Sequence, residues 1–185
     1  MARTPSTMIP LGTEAPSFTL KNVLNNKEVS LEDLKGSKGT FIAFICNHCP
    51  FVKHLHKGFV ELYRNYKSSG ISFIAISSND VENYPEDAPH LMKELFHRLD
   101  LDYPYLYDES QDVAKAYDAV CTPDFFLFDE HLKCVYRGQF DDSRPDNGIP
   151  VTGSSIRAAF DALLKNESIP ENQKPSLGCN IKWKS

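Results

Sequence analysis

In Phe44-Ile45-Cys46-Asn47-His48-Cys49-Pro50, two cysteines two residues apart stand between the unbroken apolar run Phe41-Ile42-Ala43-Phe44-Ile45 and a long amphipathic segment. Nothing else in the chain constrains its architecture as tightly. A Cys-x-x-Cys where a strand hands over to a helix is the geometry of a dithiol/disulfide centre. A sulfur at a helix N-terminus meets N–H groups that lack intrahelical partners, together with the positive end of the helix dipole. Both favour thiolate, the reactive form.

Two other chemistries, zinc binding and a structural disulfide, suit the pair less well. Zinc would call for a second Cys or His pair at short spacing. Cys121, Cys134 and Cys179 are scattered singly, and His54 and His56 stand two apart on a predicted helix, pointing to different faces. A purely structural disulfide would gain little from closing so short a loop. The spacing favours redox chemistry without a metal or cofactor.

Outward from this motif, 17–20 and 27–30 read as short strands around the turn at Asn25-Asn26. Residues 31–34 read as one helical turn, and 41–45 as a central strand covered on both faces. From Pro50 to about Ser68, Phe51, Val52, Leu55, Phe59, Leu62, Tyr63 and Tyr66 recur at helical spacing, and Gly70 ends the run. A second buried strand is expected at 71–77, a helix at 86–99, and a shorter helix at 111–117 capped by Asp108 or Ser110. Strands at 125–129 and 133–137 meet in a turn at Glu130-His131, and a last helix over 152–166 is capped by Thr152 or Ser154. Residues 1–16 read as an irregular arm, and 169–185, with Pro170 and Pro175, as an extended tail of one domain spanning 1–185.

The chain has 185 residues, 41% hydrophobic and 24% charged, which suits a single globular domain. A net charge of −5 points away from nucleic acid and anionic membranes. No apolar run approaches the ~20 residues a membrane span requires. The start, Met1-Ala2-Arg3-Thr4-Pro5-Ser6, lacks the apolar core of a signal peptide. Five cysteines, an odd number, argue against a secreted disulfide framework. The expectation is a protein of the reducing cytoplasm, where a Cys-x-x-Cys is catalytic rather than structural.

The strand–helix–strand order early in the chain requires parallel pairing through a right-handed crossover, and the short turn later requires antiparallel pairing. A mixed central β-sheet flanked by helices on both faces follows, with an N-terminal β-hairpin extension: an α/β, thioredoxin-like architecture. Cys46-Asn47-His48-Cys49-Pro50-Phe51-Val52-Lys53, Cys121-Thr122-Pro123-Asp124-Phe125-Phe126-Leu127-Phe128-Asp129, Tyr136-Arg137-Gly138-Gln139 and Asp141-Asp142-Ser143-Arg144-Pro145 carry a closer likeness. Together they resemble the peroxiredoxin-like redoxins of the alkyl hydroperoxide reductase/thiol-specific antioxidant superfamily over about residues 8–183.

The departures from true peroxiredoxins are informative. Aligning Cys49 with the peroxidatic cysteine puts Cys46 where the family has Thr and Ile42 where it has Pro, and the Arg position falls near Pro123. The donors that would stabilise a departing peroxide oxygen are missing. The resemblance instead implies thioredoxin equipment: a second cysteine and a cis Thr122–Pro123 bond against the dithiol.

On this reading Cys46 is the nucleophile, at the helix start and the more exposed sulfur, and Cys49, one turn in, resolves the mixed disulfide. His48 would stabilise the neighbouring thiolate, Asn47 supplies turn geometry, and Pro50 suits the first helical turn. Thr122 offers a backbone edge for an extended substrate segment. Cys121 is the candidate third redox cysteine, set against a bland reading as a buried strand residue. Cys134 reads as core, and Cys179 as a bystander unless the tail folds back. Asp80 could accept a proton from Cys49 through water or cap its own loop. Arg137, Asp141, Asp142 and Arg144 read as a surface ion network.

The function expected is thiol–disulfide oxidoreduction, antioxidant in type, with a protein or small-molecule thiol/disulfide substrate and an external thiol reductant. A thiol peroxidase and a non-catalytic binding module are the alternatives. The sequence does not fix an oligomeric state.

Overall fold

The computed structural model describes residues 3–185. Its elements are β1 (Thr4–Pro5), β2 (Thr19–Asn22), β3 (Glu28–Ser30), α1 (Leu31–Leu34), β4 (Gly39–Phe44), α2 (Pro50–Tyr66), β5 (Ile71–Ser77), a 3₁₀ turn at Pro85–Asp87, α3 (Pro89–Leu99), β6 (Tyr105–Tyr107), α4 (Asp112–Ala116), β7 (Cys121–Thr122), β8 (Asp124–Asp129), β9 (Cys134–Gly138), α5 (Ser154–Leu164) and β10 (Leu177–Asn180).

The apolar run before the cysteines sits where such a run must, in the middle of a sheet. β4 is buried at every position and lies between β5, parallel to it, and β8, antiparallel. The sheet has seven strands in the order β3-β2-β6-β5-β4-β8-β9. Side chains alternate across it. Phe41 and Ala43 join Val52, Leu55, Phe59, Phe96 and Phe160 of α2, α3 and α5 on one face. Ile42 and Phe44 join Leu31 of α1, Ala114 of α4 and Tyr117, the residue after α4, on the other. The thioredoxin-like reading, with helices on both faces, therefore holds. The hairpin expected at the N-terminus is present as β2 and β3, and it extends the same sheet by pairing β2 with β6.

β6 has no counterpart in the sequence reading. It is three residues long and follows Pro104, too short to show a period, and it forms because β5 and β2 offer paired edges on either side. α3 begins at Pro89 rather than at 86, because Pro85–Asp87 forms its own 3₁₀ turn. The expected caps also shift. Gly153 and Gln111, both at φ 67, precede α5 and α4. Asp108 still accepts N–H groups of α4, those of Val113 and Ala114.

The two chain ends depart most from expectation. The arm is not irregular throughout, since Thr4–Pro5 pairs antiparallel with the tail. The tail becomes the middle strand of a second sheet, β1-β10-β7, with Cys179 opposite Thr122 and Asn180 opposite Cys121. Residues 1–2 lie outside the described part of the chain.

Candidate active site

α2 begins at Pro50, and Cys49 is its N-cap residue (φ −63, ψ 123). A residue before proline is held out of the helical region, so the helix cannot start earlier. The sulfur at the helix start is therefore that of Cys49, and Cys46 sits three residues earlier, just beyond β4. The expectation that Cys46 stands at the helix start as the more exposed sulfur is corrected: it lies before the helix, and neither sulfur is open to solvent. Cys46 is 1% exposed and Cys49 0%, because β10 packs against α2 and lies along Thr122.

The contacts around the sulfurs are close. Cys46 Sγ lies 3.3 Å from Thr122 Oγ1. Cys49 Sγ lies 3.1 Å from the Thr122 carbonyl oxygen and 3.1 Å from Cys179 Sγ. The Thr122–Pro123 peptide is cis, as expected. The hydrogen bond between Cys46 and Cys49 lets the pair share a proton, and it holds the Cys49 pKa down, to about 5. Burial opposes this, while Cys179 and the N–H groups of Val52 and Cys179 add to it. The same bond to Cys49 raises the Cys46 pKa well above that of a free thiol, helped by burial and by the negative charge of Asp87. The Thr122 carbonyl favours a protonated Cys49, but a single acceptor is set against two N–H donors and two neighbouring thiols. We place the resting thiolate on Cys49 and the proton on Cys46.

Asp87 is fully buried and organises the loop between the cysteines. Its Oδ1 accepts the backbone N–H groups of Asn47 (2.7 Å) and His48 (3.1 Å). Its Oδ2 accepts from Asn79 Nδ2 (2.8 Å) and lies 2.6 Å from His48 Nδ1, which places that ring's hydrogen on Nδ1. The His48 ring also stacks on Tyr84, with centroids 5.7 Å apart. His48 thus has Asp87 as its hydrogen-bond partner, where the sequence suggested the Cys49 thiolate. Cys46, His48 and Asp87 bring three metal-ligating atoms within 4.8 Å of one another, but the Asp87 oxygens are already taken up by these four donors.

Asp80 does not face the dithiol; it accepts from Glu82 and Asn83 and caps its own loop. The buried acid beside the cysteines is Asp87, which sequence reasoning missed. Its only signal is its place among prolines beyond the end of a central strand.

Cys121 points its sulfur at the Pro123 carbonyl, and burial pushes its pKa up strongly. The cysteine that reaches the dithiol is Cys179. Burial first, and then Cys49, raise its pKa to about 12. Cys134 is core on the opposite face of the sheet. The Thr122 edge, expected to be open to a substrate strand, is occupied by β10 of the same chain. The four residues expected in an ion network form no ion pairs with one another: Arg137 bonds Ile9 O and Gln173, Arg144 bonds Gln139 and main-chain carbonyls, Asp141 accepts from Ser143, Thr152 and Gly153, and Asp142 pairs with Lys174. Beside the Asn47–His48 loop, a cleft of about 660 Å³ is lined by Lys53, His56, Glu94 and Arg98 among others.

Residues 11–137 match the AhpC/TSA family, more than half of the chain. The chain belongs to the AhpC/TSA family. The matched span includes both motif cysteines and Pro123 and ends before the tail. Among curated family relatives, the thiol-disulfide oxidoreductase ResA of Bacillus thuringiensis subsp. konkukian is 29% identical over 125 residues, 68% of this chain and 67% of ResA. A solved structure of an uncharacterized conserved protein from Geobacillus kaustophilus superposes with a TM-score of 0.97 at 61% identity, covering 100% of this chain and 97% of that one. A hypothetical protein from Sinorhizobium meliloti 1021 gives a TM-score of 0.95 at 43% identity, covering 98% of this chain and 99% of that one. The coverage shows that the described part of this AhpC/TSA chain shares its architecture with those two proteins over nearly its whole length.

Proposed function

We propose that this AhpC/TSA protein is a thiol–disulfide oxidoreductase working through Cys46 and Cys49. The observation that carries the reading is the pair itself: two reduced sulfurs in hydrogen-bond contact, that of Cys49 at a helix start, with the hydroxyl of Thr122 on Cys46, its carbonyl on Cys49 and a cis Thr122–Pro123 bond beside them. The likeness to ResA, a thiol-disulfide oxidoreductase by name, supports it.

In the reducing direction, the proton on Cys46 passes to Cys49 along their hydrogen bond. The Cys46 thiolate then attacks a substrate disulfide, forming a mixed disulfide and releasing one substrate thiolate. With Cys46 capped, Cys49 loses its proton readily, because Val52 N–H and the helix start hold its anion. It attacks Cys46, closes the Cys46–Cys49 disulfide and releases the second substrate thiolate. An external thiol returns the pair to the dithiol. Because both sulfurs are buried, the partner must displace part of the Asn47–His48 loop or the tail. The cleft beside that loop is the side from which we bring it in. The odd cysteine count supports placing the reaction in a reducing, cytoplasmic compartment.

The test is a redox titration against glutathione or dithiothreitol, with free thiols trapped by alkylation. A reversible two-electron Cys46–Cys49 couple between roughly −270 and −120 mV is expected, and its value gives the direction of transfer. Failure of the two sulfurs to pair at any potential overturns the reading.

The Thr122 hydroxyl on Cys46 keeps an antioxidant, peroxidase-like activity as a second reading. Among the described residues, the guanidinium groups of Arg137 and Arg144 are bonded elsewhere, so hydroperoxide turnover should be slow. A non-catalytic binding role would be favoured if Cys46→Ser and Cys49→Ser both left cellular function intact.

A further inference from the structure

We propose that Cys179 is a third redox cysteine, which takes over the oxidised partner of Cys49 in a second disulfide, Cys49–Cys179. The proposal rests on the thiol–disulfide reading of the Cys46–Cys49 pair and extends it to a residue outside the span that matches the family.

Three observations carry it. Cys179 Sγ lies 3.1 Å from Cys49 Sγ, and Cys49 is the sulfur that also meets Cys46, so it is the common partner of two thiols. The placement is built by the backbone: β10 pairs antiparallel with β7, setting Cys179 opposite Thr122, the residue whose hydroxyl and carbonyl touch Cys46 and Cys49. The tail is also held from both sides of Cys179. Gly178 pairs with Thr4, while Lys182 N donates to Asn79 Oδ1, and Asn79 in turn donates to Asp87. The edge on which a thioredoxin-like protein could receive an extended partner strand is filled here by the chain's own strand, with a cysteine at the position facing the dithiol.

The step balances without an added oxidant. In the oxidised protein the Cys179 sulfur attacks Cys49 in the Cys46–Cys49 disulfide. The bond from Cys49 to Cys179 forms, the bond from Cys49 to Cys46 breaks, and the proton leaving Cys179 ends on Cys46. The protein stays oxidised by two electrons throughout. The disulfide has moved from the loop to the C-terminal strand, and Cys46 is again a thiol, free to meet its external partner.

Peptide mapping reads this directly. Trypsin cutting after Lys38, Lys53, Lys165 and Lys182 leaves Cys46 and Cys49 on one peptide, 39–53, and Cys179 on another, 166–182. The full-length wild type, equilibrated with glutathione disulfide and alkylated, should yield both the internal Cys46–Cys49 disulfide and a 39–53/166–182 cross-linked pair. Cys46→Ser should yield the cross-linked pair as its main oxidised form, and the double variant Cys46→Ser/Cys179→Ser should instead carry glutathione on Cys49. If Cys46→Ser accumulates the glutathione adduct with Cys179 still alkylated, and the wild type gives only the internal disulfide, the third-cysteine role is wrong while the Cys46–Cys49 couple stands. If the wild type forms neither disulfide, the underlying oxidoreductase reading fails with it. The wild-type arm needs no substitution, so a misfolded variant cannot hide the answer.

Discussion

Gly178 lies so close to Thr122 that a Cβ on it would fall 1.9 Å from the Thr122 carbonyl oxygen. That oxygen belongs to the backbone and cannot swing aside, so only glycine lets the tail lie flat on β7. The position of Cys179 against Cys49 follows from this contact. Gly178→Ala should lift the tail and cost about 1–3 kcal/mol, the usual range for forced overpacking. The check is alkylation of the reduced protein together with thermal melting. Cys46 and Cys49, now less covered, should react at least about tenfold faster; unchanged reactivity in a folded variant would mean that the tail does not shield the dithiol.

Asp87 receives four donors while almost fully removed from water. In Asp87→Asn one oxygen becomes an NH₂ that faces two donors, either His48 Nδ1 and Asn79 Nδ2 or the N–H groups of Asn47 and His48, and the charge beside Cys46 disappears. Loss of hydrogen bonds to a buried charged group costs on the order of 1–3 kcal/mol. The more specific expectation concerns ionisation: the second thiol to titrate, Cys46, should do so at lower pH than in the wild type. Ultraviolet thiolate absorbance against pH would show it.

The pH dependence of the reduced protein follows from two opposite shifts. The Cys49 pKa, about 5 when folded against 9.0 for a free thiol, adds stability that is fully present above the free-thiol value and is lost as pH falls toward 5. The raised Cys46 pKa adds stability that is fully present below the free-thiol value and lost as pH rises beyond it. Stability of the reduced form relative to a Cys46→Ala/Cys49→Ala control should therefore climb between about pH 5 and 9 and decline above that. Denaturant melts across this window would reveal the pattern, and a flat difference would contradict the thiolate assignment. Cys49 alkylation should likewise show a step near pH 5.

Phe41 is 3% exposed, and its ring contacts those of Phe73, Phe125 and Phe160. It joins β4 to β5, β8 and α5. Phe41→Ala should destabilise the fold by about 3–5 kcal/mol, as truncation of a buried aromatic does. Chemical denaturation of oxidised and reduced protein should give the same loss, since the ring lies in the core rather than at the sulfurs.

Local pattern was enough for much of this chain. Phe41 to Ile45 could only be a central strand, because an unbroken apolar run needs cover on both faces, and Phe51 to Tyr66 could only be an amphipathic helix, because its apolar residues repeat every three or four. Cys46 and Cys49 were legible because their chemistry depends on spacing along the chain, whereas Pro123, far from them in sequence, was legible only through the family resemblance. The sequence could also have shown that the residue preceding Pro50 caps the helix, since that restriction is local. The remaining features are contacts between segments far apart in sequence, and periodicity carries no information about those. β6 exists because two neighbouring edges accept it. Asp87 meets Asn47 and His48 of the cysteine loop from 40 and 39 residues away. Cys179 meets Cys49 across 130 residues, through a tail whose prolines predict extension but not where it lies. Only the packing of the tail against Thr122, which Gly178 makes possible by having no Cβ, turned a solitary cysteine into a neighbour of the dithiol.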